Sequence, residues 1–431
     1  QVLEIDETHG EALKNLEGLY EREKDIEKLC GILKRRIDLC TADAERVALL
    51  EKLAGLYGTK LNDSLAALDT WKAILAVQPT HDRAKRELRA RFLAEHRWDD
   101  LEWFLRKFGT VDELARTLES QLGSVTDPAE KQGLLYKLAS VWRDELAQPP
   151  RAVKNLEAVL QIVVDDLRAA LELIALYRQL NDFRKLPAVY DIAISKTEDR
   201  TTRMTLMIEA AEVHEKHLNN LERAFFWYVE AYKEDMLDDS LRGELERLAG
   251  PSGNWDTYVA VLEQAAGLMP DATRQIATWL RVGEIFYKEL ANPVDALDAF
   301  KTVLSLDDVN AEAIGALEVI YRQLSRFDDL VGILNLRLVL ETDGNKAREV
   351  RYDLADILYS RLRKVDDAVR LYNEILQDQP YDGHAYDELS DLLLKEKRFD
   401  DLLGLLTNEV EVFMTRPGVP GSVMADLHCR I

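Results

Sequence analysis

VLSLDDVNAEAIGALEVIY, residues 303–321, resembles a stretch that begins 301 residues earlier, VLEIDETHGEALKNLEGLY at residues 2–20, with eight of nineteen positions identical. The likeness runs on into the next segment, where KLCGILKRRI (28–37) faces DLVGILNLRL (329–338). An internal period is therefore the first thing to establish, because a fixed period decides a fold before any local motif does. One alanine marks it: Ala67, Ala152, Ala224, Ala296 and Ala368 are spaced by 85, 72, 72 and 72 residues. Six residues before each stands a leucine, at 61, 146, 218, 290 and 362. Four residues after each stands a large side chain: Trp71, Leu156, Tyr228, Phe300 and Tyr372.

A second series occupies the other half of each 72-residue unit. Its anchors are Ile26, Val111, Phe183, Trp255, Phe327 and Phe399, with Leu29, Leu114, Leu186, Tyr258, Leu330 and Leu402 three residues on. Leu330 to Ala368 is 38 residues and Ala368 to Leu402 is 34, so each unit holds two sub-units of unequal length. Within each, apolar residues recur at i, i+3, i+4 and i+7, as in ALLEKLAGLYGTKL (48–61), which is the period of an amphipathic helix. No window alternates apolar and polar residues over the length of a strand. The reading is all-α, built of helical hairpins in tandem: six of a leucine type and five of an alanine type. A lone hairpin cannot bury its apolar face, so neighbours must stack.

This pattern resembles the tetratricopeptide repeat, a 34-residue helix–turn–helix unit. Ala67, Trp71, Ile74 and Pro79 stand at the family's relative positions, as do Tyr359, Ala368, Tyr372, Ile375 and Pro380, and Tyr287, Ala296, Phe300 and Val303. The alternate hairpins depart from it. They place Leu where the family has Ala, and Val164, Met236 and Asp308 replace the final Pro. The resemblance implies a right-handed α-solenoid in which the first helix of each hairpin lines a concave groove that takes extended peptides. The regular double-hairpin unit looks more like long bacterial arrays than compact chaperone adaptors.

The 85-residue spacing places thirteen extra residues near RWDDLEWFLRKFGTVDELARTL. Trp98–Leu101 and Val111–Leu114 both look like the same helix start. A partial duplication adding one short helix divides the chain into repeats at 1–97, an inserted helix at 98–110, and repeats at 111–431. Aromatic residues crowd there: Phe92, Trp98, Trp103, Phe104 and Phe108. They either fill the gap between mis-stepped hairpins or present a docking patch, for which Trp98, Trp103, Phe104 and Phe108 are the candidates. AGPSGNW (249–255) predicts a looser turn, and TRPGVPGSV (415–423) a stretched one. Both ends stop inside a repeat, so the chain reads as a segment of a longer array.

Composition narrows the function. The 431 residues carry 56 Lys and Arg against 79 Asp and Glu, a net charge of −23. That charge opposes binding to nucleic acid, and no stretch of 18 apolar residues exists to cross a membrane. Three cysteines, without a CxxC pair, fit a reducing compartment, and a cytoplasmic location is expected. His214 and His217 lie at i and i+3, unlike the i, i+4 histidines of HExxH, and read as a solvated pair. The acid pairs at 99–100, 165–166, 238–239, 328–329 and 400–401 read as helix-start caps. No catalytic, cofactor or metal motif is present, so no cofactor and no enzymatic activity are expected.

What remains is surface. Carried onto matching positions, the groove would be lined by Lys52, Lys60, Lys137, Lys216, Arg281, Lys288 and Arg361, either a partly basic stripe favouring an acidic peptide or residues paired with neighbouring glutamates. The expected function is a non-catalytic scaffold or adaptor that holds protein partners, in the setting of a large assembly. The alternative is a peptide- or protein-sensing regulatory domain that controls an effector outside this segment.

Overall fold

A computed structural model describes Asp6, residues 8–415, Ala425 and Cys429. Residues 2–5 and 416–424, on which the part-repeat at the start and the stretched turn fall, lie outside the described residues, as does most of the expected closing part-repeat. Among the described residues there are 23 α-helices and no strand. They form two compact units, Gln1–Asp199 and Arg200–Ile431.

The first unit holds α1 (Gly10–Glu23), α2 (Ile26–Leu39), α3 (Asp43–Leu56), α4 (Ser64–Val77), α5 (Asp82–Ala94), α6 (Trp98–Phe108), α7 (Val111–Gln121), α8 (Pro128–Ser140), α9 (Pro149–Ile162), α10 (Leu167–Leu180) and α11 (Leu186–Lys196). The second holds α12 (Arg200–Lys216), α13 (Leu221–Glu234), α14 (Asp239–Ser252), α15 (Trp255–Leu268), α16 (Ala272–Lys288), α17 (Pro293–Leu306), α18 (Ala311–Gln323), α19 (Phe327–Leu340), α20 (Gly344–Asp356), α21 (Val365–Asp378), α22 (Gly383–Lys395) and α23 (Phe399–Met414).

The marker alanines now have a physical role. Ala67, Ala152, Ala224, Ala296 and Ala368, on the second helix of their hairpins, are all fully buried. Opposite them the first helices carry a second small series at the same spacing: Ala54, Ala139, Ala211, Gly283 and Ala355, also buried. Small residues on both sides let the two helix backbones cross closely, and the large residue one turn later (Trp71, Tyr228, Phe300) packs beside the crossing. In the leucine-type hairpins, Leu88, Leu173, Leu245, Leu317 and Leu389 occupy the corresponding centre and are buried.

The two hairpin types differ in how they turn. Every first helix passes to its second through one residue with a left-handed backbone: Lys24, His96, Asn181, Gly253, Ser325 and Lys397 in the leucine type, and Asn62, Ala147, Asn219, Ala291 and Arg363 in the alanine type. In the leucine type the next N–H reaches back five residues, as Asp182 does to the Tyr177 carbonyl (2.9 Å) and Arg398 to Leu393 (2.9 Å). This is the Schellman closure. In the alanine type it reaches back six, as Gln148 does to Trp142 (2.7 Å), Asn292 to Phe286 (2.7 Å) and Lys364 to Leu358 (2.8 Å). The extra residue is taken up by a wide i→i−5 turn, Leu146 to Val141, Leu218 to Val213, Leu290 to Ile285 and Leu362 to Ile357. The leucine that precedes each marker alanine by six residues closes that turn. This alternation of tight and wide turns is one source of the unequal sub-units.

The turn at 249–255 is not looser than its counterparts. Gly253 (φ +71°) stands at the left-handed position, and Asn254 donates to the Ala249 carbonyl at 2.9 Å, as in the other leucine-type hairpins. Glycine adopts this backbone without a Cβ penalty, so Gly253 fits the same closure as its counterparts.

Between α5 and α8 stand two helices, α6 and α7, where the other units have one. α6 leaves α5 through the regular turn: His96 is left-handed and Arg97 donates to the Phe92 carbonyl (2.9 Å). Toward α8, however, α6 behaves as a first helix. Its Glu102 receives the Lys137 ammonium at 2.8 Å, 35 residues on, as Glu17 of α1 receives Lys52 of α3 at 2.6 Å. α6 thus plays both parts, second helix to α5 and first helix to α8.

Candidate functional site

The seven basic groove candidates are distributed over both units: Lys52, Lys60 and Lys137 in the first, Lys216, Arg281, Lys288 and Arg361 in the second. Five of them are in ion pairs. Lys52 binds Glu17 (2.6 Å) and Glu21 (2.8 Å), and Lys137 binds Asp99 (2.6 Å) and Glu102 (2.8 Å). Lys216 binds Glu212 (2.8 Å), Arg281 binds Glu246 (2.7 Å) and Glu284 (2.9 Å), and Lys288 binds Glu284 (3.2 Å). Arg361 lies over the Phe327 ring at 5.5 Å, and Lys60 alone of the seven has neither an ion pair nor a ring partner among the described residues. The residues do not make an uncompensated basic stripe. Lys52, Lys137 and Arg281 meet acids of the preceding first helix, because stacked helices bring side chains about 35 residues apart into register, whereas Lys216 and Lys288 pair within their own helices.

The same ladder continues through Arg143–Glu172 in the first unit and through Arg247–Glu215 and Arg322–Asp353 in the second. Its most enclosed member is Glu17. Burial pushes this carboxyl up, but hydrogen bonds from Lys52 and Arg36 outweigh burial and hold it below the usual carboxylate range. Glu102 is balanced the same way, burial against Lys137 and Arg106, and also ends below it. These charges are committed to the stack and are poorly placed to serve a ligand.

The second unit adds an apolar recess on its first-helix face. A cleft of about 200 Å³ opens between α16 and α18, with Phe300 of α17 beneath it. Leu280, Tyr287, Ala316, Val319 and Ile320 wall it, and Glu284, Lys288 and Glu312 stand at its rim. Gly283 brings Phe300 this close: a Cβ there would sit 2.7 Å from the ring. Val319 is 52 % exposed, and the Tyr287 hydroxyl donates to Gln323 at 3.1 Å. The periodicity did not single out this recess, although the one Gly in an otherwise Ala series was the signal available for it.

The aromatic cluster divides. Phe92, Trp98 and Phe104 are buried, and the Trp98 indole N–H donates to Glu130 at 2.8 Å beneath the stacked His96 ring. These three are packing residues. Trp103 is 43 % exposed and Phe108 half-buried, with their rings edge to face at 6.1 Å.

The remaining chemistry-bearing residues are structural. His214 is buried, not solvated, and His217 is exposed. No group of three metal-ligating side chains occurs among the described residues. Cys30 is buried and its thiol is pushed up by burial, while Cys40 is half-buried. Only some of the acid pairs cap helices. Asp166 and Asp238 accept backbone N–H groups at 2.8 Å each, whereas Asp100, Asp329 and Asp401 clasp Arg97, Arg326 and Arg398 three residues before them.

The architecture is that of a tetratricopeptide-like array. No family model matches the chain, and no curated protein does. Solved structures similar to it include the P58(IPK) TPR domain (16 % identity, TM-score 0.24, 81 % of this chain and 98 % of that one). A second is the C-terminal part of a TPR repeat-containing protein from Cytophaga hutchinsonii (15 %, TM-score 0.27, 59 % and 99 %). A third is a tetratricopeptide repeat protein from Parabacteroides merdae (12 %, TM-score 0.23, 70 % and 96 %). The tetratricopeptide-like character of this chain rests on its own hairpins, their small-residue crossings and their spacing. No described helix is long and apolar enough to cross a membrane.

Proposed function

We propose that this chain is a non-catalytic protein-interaction scaffold, and that the first-helix face of its second unit holds a partner through an apolar side chain. The observation that carries this reading is the recess between α16 and α18, open to solvent and floored by Phe300. Its neighbouring bases, Arg281 and Lys288, are already paired with Glu246 and Glu284. Recognition there is by shape and apolar burial, worth about 1.5–3 kcal/mol for one well-seated side chain. An extended peptide or an exposed helix of a partner fits that demand.

The test is panning of a random dodecapeptide library on the purified chain, followed by anisotropy titrations of the enriched peptides. Sequences with a bulky apolar anchor are expected. Ala316→Trp, which fills the recess from a half-buried helix position, should weaken them by about tenfold or more while the helical circular dichroism stays unchanged. Enriched peptides that bind the Ala316→Trp protein as tightly as the parent would exclude this face.

A further inference from the structure

The second surface lies in the first unit, where α6 changes role, and it does not depend on the recess. Helix α5, DRAKRELRARFLA, carries five bases against two acids in a protein of net charge −23. Arg83 reaches back to Glu51 (3.6 Å), and Arg89 binds Glu113. Lys85 and Arg86 have no ion-pair partner among the described residues. On α6 all three acids are committed: Asp99 and Glu102 to Lys137, and Asp100 to Lys72 and Arg97. Arg106 is held by Glu102 and Glu145, which leaves Lys107 as the uncompensated charge of that helix.

Two of these unpaired cations, Lys85 and Lys107, lie against the exposed Trp103 and half-buried Phe108 rings, beside Lys72, which is paired with Asp100. The Lys107 ammonium is 5.3 Å from the centre of the Trp103 ring and 5.4 Å from that of Phe108. Lys85 approaches Phe108 at 5.8 Å, and Lys72 approaches Trp103 at 5.8 Å. An ammonium held over a ring face keeps its charge and loses part of its conformational freedom, so a carboxylate meets a partly ordered cation. Elsewhere on the first-helix ladder most bases find an acid about 35 residues away. The second role of α6 directs its acids toward α8, and the bases of α5 are left in excess.

We propose that Trp103, Phe108, Lys85 and Lys107 form a docking site for an acidic peptide segment of a partner protein, one apolar side chain lying on the rings and flanking carboxylates meeting the two lysines. Charge complementarity selects this occupant: an excess of free cations around exposed aromatic area, on a protein that repels anions overall, admits a short acidic segment and excludes a basic one. The small footprint also disfavours a nucleic-acid backbone, which needs a longer basic track.

The probe is a fluorescein-labelled heptapeptide with one phenylalanine flanked on each side by three aspartates or glutamates, titrated by anisotropy at low and at 0.5 M salt. A counterpart with lysines in place of the acids serves as its control. The acidic peptide should bind at low salt and weaken at high salt, and the basic one should not bind. Lys85→Glu/Lys107→Glu and Trp103→Ala should each weaken the acidic peptide by at least about tenfold, and Lys107→Gln by less. All of these positions are surface or half-buried, and an unchanged thermal melt establishes that the variants are folded. Absence of binding to the parent, equal binding of the basic peptide, or equal affinity in the charge-reversed protein overturns the proposal. Loss of binding in Ala316→Trp but not in these variants assigns the peptide to the recess instead. Co-sedimentation with phosphatidylserine vesicles that depends on Lys107 also overturns it, assigning the patch to an anionic lipid surface.

Discussion

At the scale of single residues, the turns carry an unusual load. Ten of the eleven left-handed turn positions are not glycine, and they include Ala147 and Ala291, which have no side-chain group to satisfy the local backbone. A non-glycine residue in this conformation costs about 1–2 kcal/mol. Ala147→Gly and Ala291→Gly are therefore expected to raise stability by up to about 1 kcal/mol each, read as a shift in urea midpoint, and Gly253→Ala to lower it by a similar amount. No shift in the first pair would mean that neighbouring packing has already absorbed the strain. Gly283 poses the opposite demand. A Cβ there meets three atoms of the Phe300 ring at 2.7 to 2.9 Å. Gly283→Ala should cost about 1–3 kcal/mol by forcing the ring aside, and Phe300→Leu in the same chain should recover part of it.

At the scale of elements, the ladder between first helices sets the response to acid. Glu17 and Glu102 have folded-state values below their ordinary value of 4.5. A carboxyl whose pKa is depressed by folding binds its proton more readily in the unfolded chain. Its contribution is present above about 4.5 and is lost as pH falls through the lower folded value. Calorimetry across pH should thus find a level melting temperature from pH 7 to about 5.5 and a steep fall below 4.5. In Glu17→Gln/Glu102→Gln the curve should start lower, because Lys52, Arg36, Lys137 and Arg106 lose an acceptor, and it should fall less steeply on acidification. Equal slopes would show that other carboxyls govern the acid transition. The ladder was only half legible in the sequence. The positions of Lys52, Lys137 and Arg281 on equivalent helices followed from the period, but which acid each one meets depends on the step between stacked hairpins.

At the scale of the whole molecule, the period makes a length prediction. Ala291 and Arg363 are equivalent left-handed turn residues 72 positions apart. Excising residues 292–363 and joining Ala291 to Lys364 rebuilds a regular alanine-type turn between α16 and α21. The shortened chain should fold with unchanged helicity per residue and a lower urea slope, since stability in such arrays is a sum over neighbours. Loss of cooperative unfolding in this variant would mean that the excised pair does more than fill one step. Excising a single hairpin instead, residues 292–325, joins Ala291 of a wide turn to Arg326, which follows a tight one, and should be markedly worse.

The sequence by itself determined the all-helical class, the 72-residue unit and the pairing of helices into two hairpin types. It did so because apolar period, marker alanines and turn positions are local properties that recur. Tertiary structure alone decided the rest. It buried His214, closed the glycine-rich turn at 249–255 like its counterparts and neutralised most of the basic groove residues. It also divided one aromatic cluster into packing residues and a surface pair, Trp103 exposed and Phe108 half-buried. The turn at 249–255 closes on its own backbone, but the others depend mostly on what a side chain meets across a helix–helix interface, where the decisive neighbour often lies some 30 to 40 residues away, at a distance no local pattern measures.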